Sequence, residues 1–381
     1  MRILLLSPYA PYPPRSGGAL RIYHLLKGLA SNHEVWLLTF APAPTEVPPE
    51  AAARVLEPLR SWCHVELVPG LPPRSLARRA WSTVASPLPD MALRNRSPAY
   101  CRALHELLAT RTFDVVQAES IEMAGYALEA TVGSHRGGAS PALAAGARPP
   151  LRLLDEFNAE YVLQRRAALT DLSTILRVKA RNLKTFTAAP YSLVQWYKLA
   201  VYERLLLRRV DRVVAVSEED RAALLRLCPQ AHVHIVPNGV DTEYFAPGDD
   251  VGWSSSEGQP APSGDGDIVF TGSLDFRPNI DAVTWFAYEV LPLVRRVWPG
   301  GRLVVVGRNP TPAVRLLHNG VSIEVVGEVA DVRPFMPARV VCRAYAHGRR
   351  GAAQTAGSAG DAGSRGQHYD GGRRGAGVAR W

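Results

Sequence analysis

Two sorts of residue in this sequence have types and spacing suited to chemistry: glycines and arginines beside apolar runs, and carboxylates at the ends of apolar runs. The first sort can hold an anion, the second can bind hydroxyl groups. Residues 13–21 read PPRSGGALR. Gly17 and Gly18 let backbone amides approach a ligand, and the helix starting there favours phosphate at its N-terminus. Arg21 adds a further anion contact, although an ordinary strand-to-helix turn has the same composition. Glu119 and Ser120 follow the run DVVQA; Glu119 can bind ligand hydroxyls or cap the next helix. Asp155, Asn158 and Glu160 stand in DEFNAEY after another run, where they either line a ligand or position a helix. Ser217 and Glu218 end a further run. Gly272 and Ser273 close DIVFTGS, and Arg277 and Asn279 follow in DFRPN. Arg277 can meet an anion there, a plain surface arginine being the alternative. Gly307 ends RLVVVG.

These residues need a scaffold that presents strand ends. Residues 1–7 read as a buried strand, 8–18 as a Pro- and Gly-rich loop, 19–31 as a helix with apolar residues at helical period, and 33–40 as the next strand. This strand-loop-helix-strand order opens an α/β domain with a parallel sheet. Residues 65–68, 114–117 and 151–155 read as further strands, 131–150 as a surface excursion, and 159–209 as a long helical region interrupted near Pro190. Residues 247–266 are polar and breaker-rich, a linker or long loop. A second α/β unit starts at Asp267, with a helix over 279–298 and strands at 302–307 and 322–327. Ligands of open α/β sheets bind beyond the carboxyl ends of the strands, where the candidates stand.

The 381 residues are enough for two domains, and 47% hydrophobic with 21% charged residues is ordinary for a globular chain. Cys63, Cys101, Cys228 and Cys342 have no CxxC spacing, so neither a zinc site nor a disulfide framework is expected. No apolar stretch reaches the length of a membrane span, and the run at Ile3 to Leu6 is too short for a signal peptide. The net charge of +9 points to acidic partners. Residues 165–209 hold ten Lys/Arg against Asp171 and Glu203, interleaved with Phe186, Tyr191, Trp196, Tyr197 and Tyr202. Such a stretch suits an anionic membrane surface; a solvated helix with its aromatics in the core is the alternative.

The most specific pattern is residues 210–245, VDRVVAVSEEDRAALLRLCPQAHVHIVPNGVDTEYF. VVAVS suits a buried parallel strand, and Ser217 suits the cap of the helix after it. His234, Ile235 and Val236 make a second strand, and Asn238-Gly239 supplies a turn tolerant of positive φ. The pattern V-S-x(n)-V-x-P-N-G-V-D-x-x-x-F resembles the interdomain border of the family 4 glycosyltransferases. These are retaining enzymes of GT-B fold, with two facing Rossmann-like domains. The resemblance covers roughly residues 1–340, and residues 191–225 most resemble sugar transferases of exopolysaccharide assembly.

The resemblance implies transfer of a sugar, with retention, from a nucleotide diphosphate donor to a glycan or lipid-linked acceptor. It implies no cofactor and no essential metal, and nothing in the chain resembles a DxD metal site. Positive charge and helix dipoles would stabilise the departing diphosphate. Gly17, Gly18 and Arg21 would lie against the donor diphosphate and acceptor. Glu119 stands near the place of a family histidine and is the catalytic candidate, with Ser120 beside it. DEFNAEY is similar to the D-x-H-N-x-E-Y of some relatives, with Phe157 at the histidine place, so Asn158 and Glu160 would line the acceptor side with Ser217. Gly272, Arg277, Asn279 and Gly307 would bind the donor. Gly327, Glu328 and Val329 match a region whose backbone meets the nucleotide base. The expected setting is the cytoplasm, with peripheral contact at the anionic inner face of the membrane and no specific nucleic acid.

The expected organisation is a first Rossmann-like domain over 1–245, a linker over 246–266, a partial second Rossmann-like domain over 267–342 and a Gly/Arg tail over 343–381. The tail has no Leu, Ile, Phe or Met; its ten Gly, seven Arg and two Asp leave a net +5 and no means of completing a core. A basic binding tail would look like this, and so would translation out of frame. One base dropped from codons able to encode residues 343–361 permits a glycine turn, R-L-K and a helix bearing glutamate, as in the resembling family. Gln354 constrains this most, since its shifted codon yields only Lys or Arg. On that reading the phosphate-binding R-x-K element and the sugar-binding carboxylate are missing, and the chain is inactive or impaired. The rival readings are a non-enzymatic binding protein using its basic tail, and another two-Rossmann nucleotide-sugar enzyme such as an epimerase.

Overall fold

The computed structural model describes residues 1–14, 16–42, 47, 51, 54–72, 74–132, 149–177, 183–245, 267–335, 340–344 and 353–354. The chain divides into two compact units, Met1–Asn238 and Gly239–Trp381. The sequence reading places the border at 245. The stretches read as linker (247–266) and most of the 131–150 excursion lie outside the described residues, as does the tail apart from residues 343–344 and 353–354.

The first unit runs β1 (Arg2–Ser7), α1 (Gly17–Ala30), β2 (Glu34–Phe40), α2 (Glu57–Arg60), β3 (His64–Val68), α3 (Leu76–Ala85), α4 (Asp90–Arg94), α5 (Pro98–Thr110), β4 (Val115–Glu119), α6 (Ala124–Val132), β5 (Leu151–Glu156), α7 (Glu160–Arg177), α8 (Leu183–Leu207), β6 (Arg212–Ala215), α9 (Glu218–Leu227) and β7 (Val233–Ile235). All seven strands are parallel, in the order β3-β2-β1-β4-β5-β6-β7. A parallel sheet is covered on both faces, which is why its strands read as unbroken apolar runs. Alternate residues of β1 divide between two cores. Leu4 and Leu6 join Trp36, Leu38, Tyr100 and Leu104 on one face; Ile3 and Leu5 join Ile22, Leu26, Val35 and Leu37 on the other. Tyr100 is fully buried, and its hydroxyl donates to the Leu38 carbonyl at 2.7 Å.

α1 starts where the sequence places its glycines. Ser16 caps it, accepting from the Ala19 amide. The two glycines differ. A Cβ on Gly17 would meet open space, whereas a Cβ on Gly18 would run into the Tyr9 hydroxyl and the Phe157 ring. Gly17→Ala should therefore raise stability by about 0.5 kcal/mol, since alanine loses less backbone entropy in a helix. Gly18→Ala should cost about 1–2 kcal/mol through overpacking. Urea unfolding of the two variants compares them directly.

Two local expectations change. Pro190 does not interrupt the helical region; it lies inside α8. A proline removes one backbone donor, and here the next turns are held from outside, with Ala189 buried and Ser192 donating to Asp171 at 2.6 Å. Asn238-Gly239 does not take positive φ. Among the described residues, positive φ occurs at Ser120, Asn309, Gly272, Gly320 and Gly327. Asn238 is used through its side chain instead.

The second unit runs β8 (Asp267–Thr271), α10 (Arg277–Trp285), a π turn (Phe286–Val290), α11 (Leu291–Val297), β9 (Arg302–Val306), α12 (Pro312–Arg315), β10 (Ile323–Gly327), a 3-10 turn (Arg333–Phe335), β11 (Val340–Ala344) and β12 (Ala353–Gln354). The order is β10-β9-β8-β11-β12, parallel except for the two-residue β12. Its core gathers Ile268, Phe270, Leu303 and Val305 from the strands with Ala282, Val283 and Phe286. Both sheets are therefore of Rossmann-like order, reversing direction beside their first strand. Those switch points, β1/β4 and β8/β11, are where open α/β sheets open a crevice for ligands. Among the described residues no helix is long and apolar enough to cross a membrane.

Candidate functional site

In the first unit, the parallel register sets the carboxyl ends of β4 and β5 side by side, pairing Glu119 with Asp155. Arg21 reaches them from α1. Its Nε and Nη2 donate to the two Asp155 oxygens, each at 2.8 Å, and its Nη1 donates to the Val236 carbonyl at 3.0 Å and to Asn238 Oδ1 at 2.9 Å. The guanidinium thus ties together α1, β5 and the exit from β7. The side chains of the pair are only 4% and 1% exposed. Burial pushes the Asp155 carboxyl above its usual range, against the pull of Arg21.

Glu119 has no exposed surface. Its Oε1 accepts from Gln117 Nε2 at 2.7 Å, while Oε2 is buried without a donor among the described residues. Burial first, then the neighbouring Asp155 charge, push its carboxyl well above the carboxylate range. A protonated Glu119 can donate a hydrogen bond to the Asp155 carboxylate while keeping its proton. The backbone turns sharply just beyond: Ser120 has φ 70°, a left-handed conformation that costs a non-glycine residue about 1 kcal/mol. Its amide donates to the Asp155 carbonyl at 2.9 Å, which holds the turn on β5.

A second acidic group surrounds the start of α7. Glu203, from α8, accepts from the amides of Glu160 at 3.2 Å and Tyr161 at 2.9 Å. Asp220 accepts from the Ala159 amide at 3.0 Å and from the Ser217 hydroxyl at 2.6 Å. Glu156 is fully buried, and neither of its oxygens has a hydrogen-bond partner among the described residues. Burial pushes Glu160 up to about 7 and Glu203 up to about 8. Glu156 is raised well above its usual value by burial, then by Glu203 and Glu160.

The structure therefore brings Arg21, Glu119 and Ser120 together, and sets Asn158, Glu160 and Ser217 around the neighbouring helix start. Asn158 is 3.5 Å from Glu160 Oε1, and Ser217 caps α9 by accepting from the Asp220 amide. Sequence reasoning missed Glu156, Glu203 and the ligand-like use of Asn238. Only Asn238 carried a signal, its place in the VPNG run.

In the second unit, β8 and β9 end one residue before Gly272 and Gly307, and Gly327 is the last residue of β10. Gly272 donates to the Val306 carbonyl at 3.2 Å and Gly307 to the Gly327 carbonyl at 2.7 Å, so the three glycines form one row across the sheet end. A Cβ on Gly307 would collide with the Gly272 carbonyl. Asn279 is buried beside Gly272 and donates to the Ser273 carbonyl at 3.0 Å. Arg277 opens α10, half exposed, with a loose 3.9 Å contact to Asp281. Arg308, which the sequence reading passed over, follows Gly307 and donates to the Ser273 hydroxyl at 3.1 Å. Its signal was position alone, one residue past a strand end. Glu328 and Val329 follow Gly327, Glu328 exposed and Val329 packed beneath beside Val326 and Phe335.

The family model described as glycosyltransferase family 4 matches residues 177–244. No curated protein matches the chain. Among solved structures, the N-terminal domain of Candida albicans trehalose-6-phosphate phosphatase is similar with a TM-score of 0.51 at 12% identity, over 91% of this chain and 77% of that one. Anabaena Alr3699/HepE in complex with UDP and glucose matches with a TM-score of 0.49 at 14% identity, over 90% of this chain and 73% of that one. The α,α-trehalose-phosphate synthase (UDP-forming) from Burkholderia xenovorans in complex with glucose-6-phosphate gives a TM-score of 0.47 at 11% identity, over 89% and 78%. The chain thus has an α/β fold of GT-B-like class, with two Rossmann-like parallel sheets, and within it residues 177–244 match the family 4 glycosyltransferases.

Proposed function

We propose that the chain is built as a retaining glycosyltransferase that moves a sugar from a nucleotide diphosphate donor to a glycan or lipid-linked acceptor, of the kind used in exopolysaccharide assembly. The observation that carries this reading is the family 4 match over residues 177–244. That segment includes Asn238, which Arg21 holds directly. No cofactor is invoked; the donor is the substrate. Its diphosphate would sit beyond the ends of β8 and β9, where the glycine row lets backbone approach and Arg277, Arg308 and the α10 N-terminus supply positive charge. Gly327, Glu328 and Val329 would border the base.

On the acceptor side, the amides at Gly17 and Gly18, with Ser120, Asn158, Glu160 and Ser217, would meet the acceptor. Glu119 and Arg21 are buried, so their proposed role is to position this wall. Glu119 holds a proton against Asp155, and Arg21 fixes the chain at Val236 to Asn238. The proposed setting is cytoplasmic, with peripheral contact to an anionic membrane.

The proposal includes a change of reading frame after Cys342. β11 takes its place in the parallel sheet beside β8, yet the sequence that follows has no Leu, Ile, Phe or Met. The switch point lies between β8 and β11, so replacing the sequence that should follow β11 would remove donor contacts. Nucleotide-sugar turnover by this chain and by a frame-restored version tests both parts. The expected outcome is transfer with retained anomeric configuration by the restored protein, and a rate at least about a hundredfold lower for this chain. Failure of both to turn over any nucleotide sugar would overturn the enzyme reading. Equal rates would overturn the frame change alone.

A further inference from the structure

α3 is assembled inside out. None of its residues is buried, and its apolar side chains Leu76, Trp81 and Val84 are 80%, 72% and 85% exposed. A helix packed on a water-soluble domain normally turns its apolar stripe inward. Here the inward side is polar. Arg79 donates to Asp90 at 3.2 Å and to the Tyr191 hydroxyl at 3.2 Å. Thr83 accepts from Gln195 at 3.0 Å, and Lys198 Nζ donates to the carbonyls of Thr83 and Ser86, each at 2.5 Å. These bonds pin α3 to α8 while leaving its apolar side outward.

The exposed side of α8 continues this surface. Val194, Tyr197 and Val201 follow one another at helical spacing and are all exposed, Tyr197 at 71%. Lys198, which grips the end of α3, lies beside them. Trp196 and Tyr202, read in the sequence as part of a basic aromatic face, are largely packed inward, with Trp196 beneath the Arg165 guanidinium. Among the described side chains of the two helices, the outward aromatics are therefore Trp81 and Tyr197.

We propose that the outward face of α3, with the Tyr197 stripe of α8, docks on an anionic lipid bilayer. The charge selects this occupant. Residues 67–89 contain no Asp or Glu but three arginines, of which Arg78 points outward. Among the described residues neither helix exposes an acidic side chain, since Glu203 of α8 is fully buried. A second copy packed about a two-fold axis would bring this basic, acid-free face against itself, which like-charge repulsion opposes. A surface of Trp, Tyr, aliphatic and Arg side chains fits the boundary between headgroups and acyl chains, with the cations meeting anionic lipid. The inference deepens the peripheral membrane contact proposed above and rests on that reading, but it does not require sugar transfer.

Cosedimentation of the full chain with vesicles tests it. Vesicles of phosphatidylcholine and phosphatidylglycerol in about equal parts should bind the protein, pure phosphatidylcholine much less, and added salt should weaken binding. Trp81→Ser/Val84→Ser should lower the partition coefficient about tenfold, with thermal unfolding unchanged because both side chains face solvent. Arg78→Glu, a charge reversal at an exposed site, should lower it as well and guards against a folding artefact in the double variant. Wild-type levels of binding by both variants would remove this face as the docking surface and leave the membrane reading standing. No binding by the wild type to anionic vesicles would remove both. Self-association without lipid that the double variant abolishes would assign the face to a second copy and overturn the proposal.

Discussion

Replacing Arg21 with methionine should destabilise the first unit by about 3–5 kcal/mol, the usual cost of leaving one member of a buried ion pair without its partner. The pair is a two-point fork with both bonds at 2.8 Å, and neither side chain has appreciable exposure. Without Arg21 the Asp155 carboxylate keeps its desolvation cost and loses its counter-charge, beside a second buried carboxyl at Glu119. Val236 and Asn238 lose a donor as well. For a domain whose whole stability is on the order of 5–15 kcal/mol, this is a large fraction. Arg21→Lys should recover less than half, because an ammonium cannot reproduce the fork while also reaching Asn238. Arg21→Met/Asp155→Asn should be milder than Arg21→Met alone, since the uncompensated charge has gone. Urea unfolding followed by circular dichroism measures all three. A midpoint for Arg21→Met within about 1 kcal/mol of wild type, at constant slope, would show that the pair contributes little.

That ion pair also marks how far the sequence could be read. The strands were legible because parallel strands buried on both faces need apolar runs: VVAVS and RLVVVG announce themselves, β6 overlapping the first and β9 lying within the second. Ser217 was legible as a cap because capping is local chemistry. Arg21, Asp155 and Asn238 were each noticed singly, but 134 residues separate the first two and 217 the first and last, and only the parallel register brings them together. Asn238 was read through its backbone, as a turn residue, when its side-chain oxygen is what the fold uses. Pro190 was read by propensity alone, yet packing around Ala189 and Ser192 carries the helix through it. α3 could not be read by the usual rule, because that rule assumes the apolar side of a helix faces the protein. The acidic group at the start of α7 was invisible for a related reason. Glu156, Glu203 and Asp220 belong to three different elements, and no spacing in the chain records their meeting.

Stability of the first unit should fall as pH rises from about 5 to about 8, the reverse of ordinary acid denaturation. The cause is that acidic group. Glu203 is fully buried and its carboxyl is raised from 4.5 to about 8, with burial the largest cause. Glu160 is raised from 4.5 to about 7, also chiefly by burial, and Glu156 is raised well above its usual value. A carboxyl whose folded pKa exceeds its unfolded one binds more proton in the folded state throughout the interval between them. Its contribution is therefore fully present below 4.5 and lost as pH climbs through the folded value. With Glu160 keeping part of its surface in solvent, Glu203 and Glu156 should dominate, and the loss should be about 3 kcal/mol across the window. Asp211, lowered by its hydrogen bonds from Arg152, acts in the opposite sense but only below 3.8, outside the range to be measured. Glu203→Gln should flatten the dependence. It should also lower stability at pH 5 by about 1 kcal/mol, because an amide keeps one acceptor oxygen where the protonated carboxyl, its hydroxyl oxygen included, offers two to the Glu160 and Tyr161 amides. Urea midpoints at pH 5.5 and 8 for the two proteins give the comparison. A wild type equally stable at both values would mean that these carboxyls hold one charge state across the range, and that their mutual burial is relieved by some other contact.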